Sequence, residues 1–445
     1  MKDETQRGEV NWQDVIRNRI SPLCHERGER WPLIFWKSGG YTPLAREEVN
    51  MMLARGIIQH IPMTIEMIPT AKALQEHGAP VIIMENKMGE GPYALGEEHL
   101  GPPQLPQLNQ FDGWAKQAEV IRQTLRRFKQ AGVRVDAAWL DWETLPLLAS
   151  YKGYKQHGLL PKSIKSAKRF RYYRRQLWNQ LMSAYVAAPI REVFPDISVS
   201  NWIINLSTER APVKDWLGRS HPLLAATLFT ATTPVAYAID TAFLAQGPNV
   251  GELTQGEIDR FYMHVMLRQV SADSYNRHRY ASYLKAIPWV ARWVPDHLSK
   301  KAPIMSRTHY REALRHLWLR GIDGMQVYNV VASPYQEMAI AEMEDAQQVY
   351  DEMLAFKQTL QNGQVMNYTI PAADHDGTLW SGVSLDNRAI IRVVSQSDEV
   401  GSIQLKLWKK HVISLTAPPE GATYDVRLIS GEVVFNKVVY HACEY

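Results

Sequence analysis

Between about residues 31 and 360 the chain alternates short apolar runs with longer amphipathic ones. That rhythm constrains the fold more than any other feature, because it predicts repeated β-α units around a parallel sheet. Candidate strands are PLIFWKS (32–38), GIIQHIPM (56–63), PVIIMEN (80–86) and VRVDAAWLDWE (133–143). Four more follow, ISVSNWII (197–204), PVAYAID (234–240), IPWVARWV (287–294) and GMQVYNVV (324–331). Helical stretches separate most of them. In residues 113–132, Ala118, Ile121, Leu125 and Phe128 form one apolar stripe, and Gly132 provides the C-terminal stop. Residues 309–321 repeat the design, again ending in Gly before a strand.

Eight strands with intervening helices over roughly 330 residues match the count and size of a (β/α)8 TIM barrel with insertions. A doubly wound open sheet is the rival, but no Gly-rich phosphate fingerprint follows any strand. Two regions break the rhythm. Residues 88–112 are rich in Gly and Pro and read as a long loop of the kind that forms lids or walls. After a helix ending near Leu360, QNGQ reads as a linker. AIIRVV, IQLKLW, HVISLT, TYDVRLI and EVVFNKVVY then predict a small all-β sandwich. The expected domains are an N-terminal arm (1–30), a barrel (31–361) and a C-terminal β-sandwich (365–445). The sandwich shows no clear aromatic platform, so a bracing role is expected for it.

Strands of a parallel barrel collect their functional groups at their C-terminal ends. There the sequence places Trp36; Glu85 and Asn86; Asp141 and Glu143; Asn201 and Trp202; Tyr237 and Asp240; and Tyr328 and Asn329. Trp289 joins them as a ring expected to stack on a sugar, while Trp293 reads as core. Acids suit acetal chemistry, rings suit sugar faces and amides suit hydroxyls. The composition agrees, with 14 Trp and 20 Tyr against 10 Phe, since aromatics with a polar handle favour wet clefts.

Asp141 and Glu143 carry the sharpest signal. Residues i and i+2 of a strand share a face, with Cα atoms about 6.5–7 Å apart. Two carboxylates this close repel as anions, which helps one of them keep a proton while its partner stays ionised. A proton-holding acid is what a departing glycosidic oxygen requires.

DAAWLDWE (136–143) resembles the signature of family 18 chitinases, D-G-x-D-x-D-W-E, through Asp136, Asp141, Trp142 and Glu143. It is also similar to the strand-four DWE of hyaluronidases. Ala137 replaces the chitinase Gly and Trp139 stands in place of the middle Asp, which tilts the likeness toward the hyaluronidases. The resemblance implies that Glu143 is the general acid and that Asp141 orients a substrate N-acetyl group whose oxygen attacks the anomeric carbon. Tyr237 would then hold the acetamido oxygen. The alternative keeps Glu143 and pairs it with Asp240 or Glu85, where a separation of ~5–5.5 Å gives retention and ~6.5–9.5 Å gives inversion. A second alternative is a sugar-binding barrel without catalysis.

The expected function is therefore a glycoside hydrolase acting on a polysaccharide or glycoconjugate, including acidic or N-acetylhexosamine-containing ones. No cofactor is implied. The histidines, among them His60, His99, His221, His264, His278, His297 and His309, follow no metal-binding spacing, so no metal is expected. KSIKSAKRFRYYRR (162–175) is half Lys and Arg, a solvated helix face or a track for an acidic glycan. A net charge of +4 and the lack of any nucleic-acid-binding motif argue against a nucleic-acid partner. No apolar run approaches the ~20 residues of a membrane helix. The N-terminus has no signal-peptide core. The chain is thus expected to be cytoplasmic, or secreted or periplasmic after loss of a leader, with the latter preferred. Cys24 and Cys443 fit no zinc or redox spacing and are expected to be unpaired thiols. The oligomeric state is left open.

Overall fold

The computed structural model describes residues 12–37, 43–85, 111–140, 150–201, 230–239, 253–329, 334–408 and 411–440. The chain is a mixed α/β protein with parallel sheets, followed by antiparallel β-structure at its C-terminal end. The parallel strands are β1 (Leu33–Lys37), β2 (Ile57–Gln59), β3 (Ile61–Pro62), β4 (Ile82–Glu85), β5 (Ala137–Leu140) and β6 (Ser198–Asn201). They continue with β7 (Ala231–Thr232), β8 (Val235–Tyr237), β9 (Lys285–Ala286), β10 (Trp289–Ala291) and β11 (Gln326–Asn329).

One sheet runs β2-β1-β11-β10-β8, a second runs β3-β4-β5-β6, and β7 pairs with β9. Several links join these groups among the described residues. The segment 56–63, expected as one strand, breaks at buried His60, so that Ile57–Gln59 pairs with β1 and Ile61–Pro62 with β4. Between β6 and β7, the Thr230 N–H donates to the Val199 carbonyl at 2.9 Å, and its hydroxyl accepts the Val199 N–H at 2.8 Å. The segments expected at 234–240 and 287–294 are likewise each preceded by a two-residue strand, β7 and β9.

The helices follow from apolar periodicity. In Phe111–Gln130 the buried residues are Trp114, Gln117, Ala118, Ile121, Leu125 and Phe128, one stripe at helical spacing. This helix begins at Phe111, inside the span read as loop, while residues 86–110 lie outside the description. Gly132, at φ +80°, then adopts the left-handed conformation that lets the chain turn into the next strand. Val133 and Val135 are buried but precede the ladder, which starts at Ala137.

The C-terminal strands are β12 (Gln364–Val365), β13 (Thr378–Leu385), β14 (Arg388–Ser395), β15 (Gly401–Leu407), β16 (His411–Ala417), β17 (Ala422–Ile429) and β18 (Glu432–Lys437). They form the sheet β12-β13-β14-β17-β18 and the hairpin β15-β16. The expected linker is not free chain, since Gln364 and Val365 already pair with β13. β14 explains how the sheets are held. Ile391 and Val393 pack with Leu405, Leu407, Ile413 and Leu415 of the hairpin, while Ile390 and Val394 join the main core of the α/β region. Alternate residues point to opposite faces, so a strand buried on both sides reads as a continuous apolar run.

Cys24 is disulfide-bonded, which corrects the expectation of a free thiol; Cys443, the other cysteine, lies outside the described residues. The physical reason is local docking of both ends of the chain. The Cys24 and His25 N–H groups donate to the Asp351 carboxylate at 3.1 and 3.0 Å, and Tyr440 packs edge-on against Phe356 with ring centroids 6.4 Å apart. No helix among the described residues is long and apolar enough to cross a membrane.

Candidate active site

Register places an aromatic cluster at the C-terminal ends of neighbouring parallel strands. Trp36 of β1 stands opposite Tyr328 of β11, and their rings stack at 4.7 Å with planes 13° apart. Tyr237, at the end of β8 and opposite Ala291 of β10, approaches Tyr328 at 5.6 Å. Met84, Trp289 and Ala291 complete the cluster. Trp36 and Tyr328 remain half-buried, so ring surface is left available to a ligand.

Beneath the rings lies a polar floor. Gln326 donates its amide N–H to the Ile287 carbonyl at 3.0 Å, which turns its carbonyl oxygen toward His60 Nε2 at 2.8 Å. His60 therefore carries its proton on Nε2. Burial pushes its pKa down to about 4, although the Gln326 bond opposes the shift, so the ring is neutral near pH 7. Trp289 stacks on His60 at 5.4 Å and is only 1 % exposed. This corrects the sugar-stacking role expected of Trp289. Enclosed by its neighbours, it offers no open face and instead supports the rings above. Trp293, also 1 % exposed, is core.

A second row shares this interior. Met84, Trp139 and Ser200 are register partners on β4, β5 and β6, and register partners of parallel strands project to the same face. Met84 belongs to the aromatic cluster, so Trp139 and Ser200 face inward with it. Trp139 meets Trp31 at 6.3 Å, and the Ser200 hydroxyl donates to the Ala231 carbonyl at 3.1 Å. One residue further on, Glu85, Leu140 and Asn201 form the next register row.

The structure thus brings together Trp36, Tyr237, Trp289 and Tyr328. It places the backbone of Glu85, Asn201 and Asn329 at three strand ends. Asn86, Asp141, Glu143, Trp202 and Asp240 lie outside the described residues. Among the described residues no group of three His, Cys, Asp or Glu is arranged to hold a metal ion.

Glu342 escaped the sequence reading. It is fully buried, and its carboxylate accepts the backbone N–H of Arg292 at 2.5 Å where β10 ends. Burial raises its pKa to about 8, against the opposing pull of Arg292 and Tyr310. The signal was present: in the helix Gln336–Leu354, Glu342 falls on the buried stripe with Ala339, Met343, Ala346 and Val349.

No family model matches the chain, and no curated protein matches it. Among solved structures, it is similar to an α-amylase from Geobacillus thermoleovorans complexed with acarbose. That match has a TM-score of 0.52 and 7% identity, over 90% of this chain and 98% of that one. A debranching enzyme from Nostoc punctiforme matches with TM-score 0.47 and 10% identity, over 90% and 99%. A glycoside hydrolase family 30 xylanase from Clostridium acetobutylicum matches with TM-score 0.42 and 9% identity, over 90% and 96%. The amylase likeness is one of fold, and it does not carry the family affiliation implied by DAAWLDWE.

Proposed function

We propose that the chain is a glycoside hydrolase whose eight parallel-strand segments close into one (β/α)8 barrel, with Glu143 as general acid/base and Asp141 as its assisting carboxylate. The observation that carries this reading is the inward row Met84–Trp139–Ser200, in the same interior as the rings of Trp36, Tyr237 and Tyr328. Asp141 and Glu143 stand two and four residues beyond inward-facing Trp139 in the sequence. A strand that continued with period two would aim both acids into that aromatic interior. Apolar walls raise the cost of ionising a carboxyl and so favour an acid that holds its proton, while the ionised partner steadies positive charge.

In the substrate-assisted form, Asp141 orients an acetamido group, Tyr237 holds its oxygen and Glu143 protonates the leaving oxygen. Half-buried Trp36 and Tyr328, with Trp202, stack on sugar faces, and Asn86, Asn201 and Asn329 take hydroxyls. The second form pairs Glu143 with Asp240 or Glu85 and needs no N-acetyl group. Release of reducing ends from chitin oligosaccharides, hyaluronan and chondroitin, compared with polymers lacking N-acetyl groups, separates them. Cleavage confined to N-acetylated glycans supports the first form. Cleavage of a polymer without N-acetyl groups discards it in favour of the second. Silence on every glycan, with sugar binding retained, would leave a lectin-like barrel.

A further inference from the structure

We infer that the surface between β5 and β6 is a docking rim for a polyanionic glycan, one whose sugars carry carboxylates or sulfates. The inference deepens the glycosidase reading and rests on it for the substrate's role. β5 and β6 pair in parallel, so the connection leaves the C-terminal end of one and returns to the N-terminal end of the other. The helix Ala167–Met182 and its continuation to Val193 make that return, which sets the helix start and the residues before it at the end of the strands where the rings cluster.

Lys155, Lys162, Lys165, Lys168, Arg169 and Arg171 are all exposed there. The sequence has no Asp or Glu from residue 144 to 191. Elsewhere several arginines are matched, Arg122 with Glu192 at 2.6 Å, Arg307 with Asp345 at 2.8 Å, Arg315 with Glu352 at 2.7 Å and Arg388 with Asp425 at 2.9 Å. None of the six rim cations forms an ion pair with a described carboxylate. Lys168 and Arg169 also occupy the first turn of the helix, which holds no acidic residue, and cations there oppose the helix dipole. Such a concentration of cations, with no acid nearby in the sequence and two of them set against the helix dipole, suits an anion that arrives from outside. Tyr172, 55 % exposed among these cations, gives a ring face for a sugar. A nucleic acid would need the same charges, but one exposed ring and a glycosidase-like interior at the same end favour a glycan.

The test compares a polyuronate with its carboxyl-reduced, uncharged counterpart. Mobility in gels containing each polymer reads binding, and reducing-end release reads cleavage. One variant carries Lys162→Gln, Lys165→Gln, Lys168→Gln and Arg169→Gln. A control loses the same charge far along the chain through Lys300→Gln, Lys301→Gln, Lys406→Gln and Lys437→Gln, all exposed. The expected result is retardation by the polyuronate alone, weakened about tenfold in the rim variant, kept in the control and erased near 1 M salt, where the Debye length is ~3 Å. Equal weakening in both variants would mean that net charge alone is responsible and would overturn the inference. No weakening in the rim variant would overturn it too, as would equal rim-dependent binding of a single-stranded nucleic acid. Rim-dependent binding without any cleavage would uphold the inference and sink the glycosidase reading by itself.

Discussion

The aromatic mouth and the seam between the helix Arg307–Trp318 and β13–β14 are built on opposite terms. At the seam the buried charges are held by ion pairs and hydrogen bonds. The carboxylate of Glu312, 4 % exposed, accepts from Arg392 Nε at 2.8 Å and lies 3.2 Å from His316 Nε2. The Ser381 hydroxyl meets His316 Nδ1 and Arg320 Nε, each at 2.8 Å. Burial of Glu312 by itself would raise its pKa, but Arg392 and His316 overturn that and hold the carboxyl well below the usual carboxylate range. At the mouth, by contrast, Trp36 stacks on Tyr328, and both keep part of their surface uncovered. The lesson is that a satisfied polar network fixes how two layers sit, whereas incompletely covered aromatic surface is capacity left for a ligand.

Substitutions can break that contrast. Glu312→Ala leaves the Arg392 guanidinium buried without its carboxylate and should lower stability by about 3–5 kcal/mol. Chemical denaturation checks this, and kcat of the folded fraction should stay unchanged. Glu342→Gln tests a pH effect. A carboxyl with a raised pKa contributes stability that is full below its unfolded value of about 4.5 and is lost as pH rises toward about 8. The native melting temperature should therefore fall relative to that of the variant by several degrees between pH 5 and 8.5. A constant difference across that window would contradict the assignment. Trp36→Ala removes a half-open ring and should raise KM for a cleaved glycan about tenfold, near 1.4 kcal/mol, with a smaller change in melting than Glu312→Ala. Ser381→Ala deletes one shared hydroxyl and should cost about 1 kcal/mol in stability with no kinetic effect.

Much of the fold is legible in the sequence because period decides it. The eight apolar runs all contain strands, and the stripe Ala118, Ile121, Leu125 and Phe128 packs as its spacing demands. What period cannot reveal is pairing between distant elements. Arg392 interrupts the apolar run AIIRVV, and nothing nearby announces that its partner is Glu312, eighty residues earlier. β13 was missed because Gly382 and two serines dilute its apolar pattern. The break at His60 depends on which neighbour each half of the segment finds. Of the candidate site, Trp36, Tyr237 and Tyr328 could be read from their places at strand ends. Trp289 was misread because a ring at a strand end looks the same in sequence whether it lines a cleft or floors one.

The most direct test of the central claim is the rate of reducing-end release by Glu143→Gln on the best-cleaved glycan, with circular dichroism confirming that the variant is folded. Loss of a general acid should slow turnover by about 10²–10⁴-fold while substrate binding persists. A folded Glu143→Gln protein that cleaves at the native rate would contradict the account and move the chemistry away from β5.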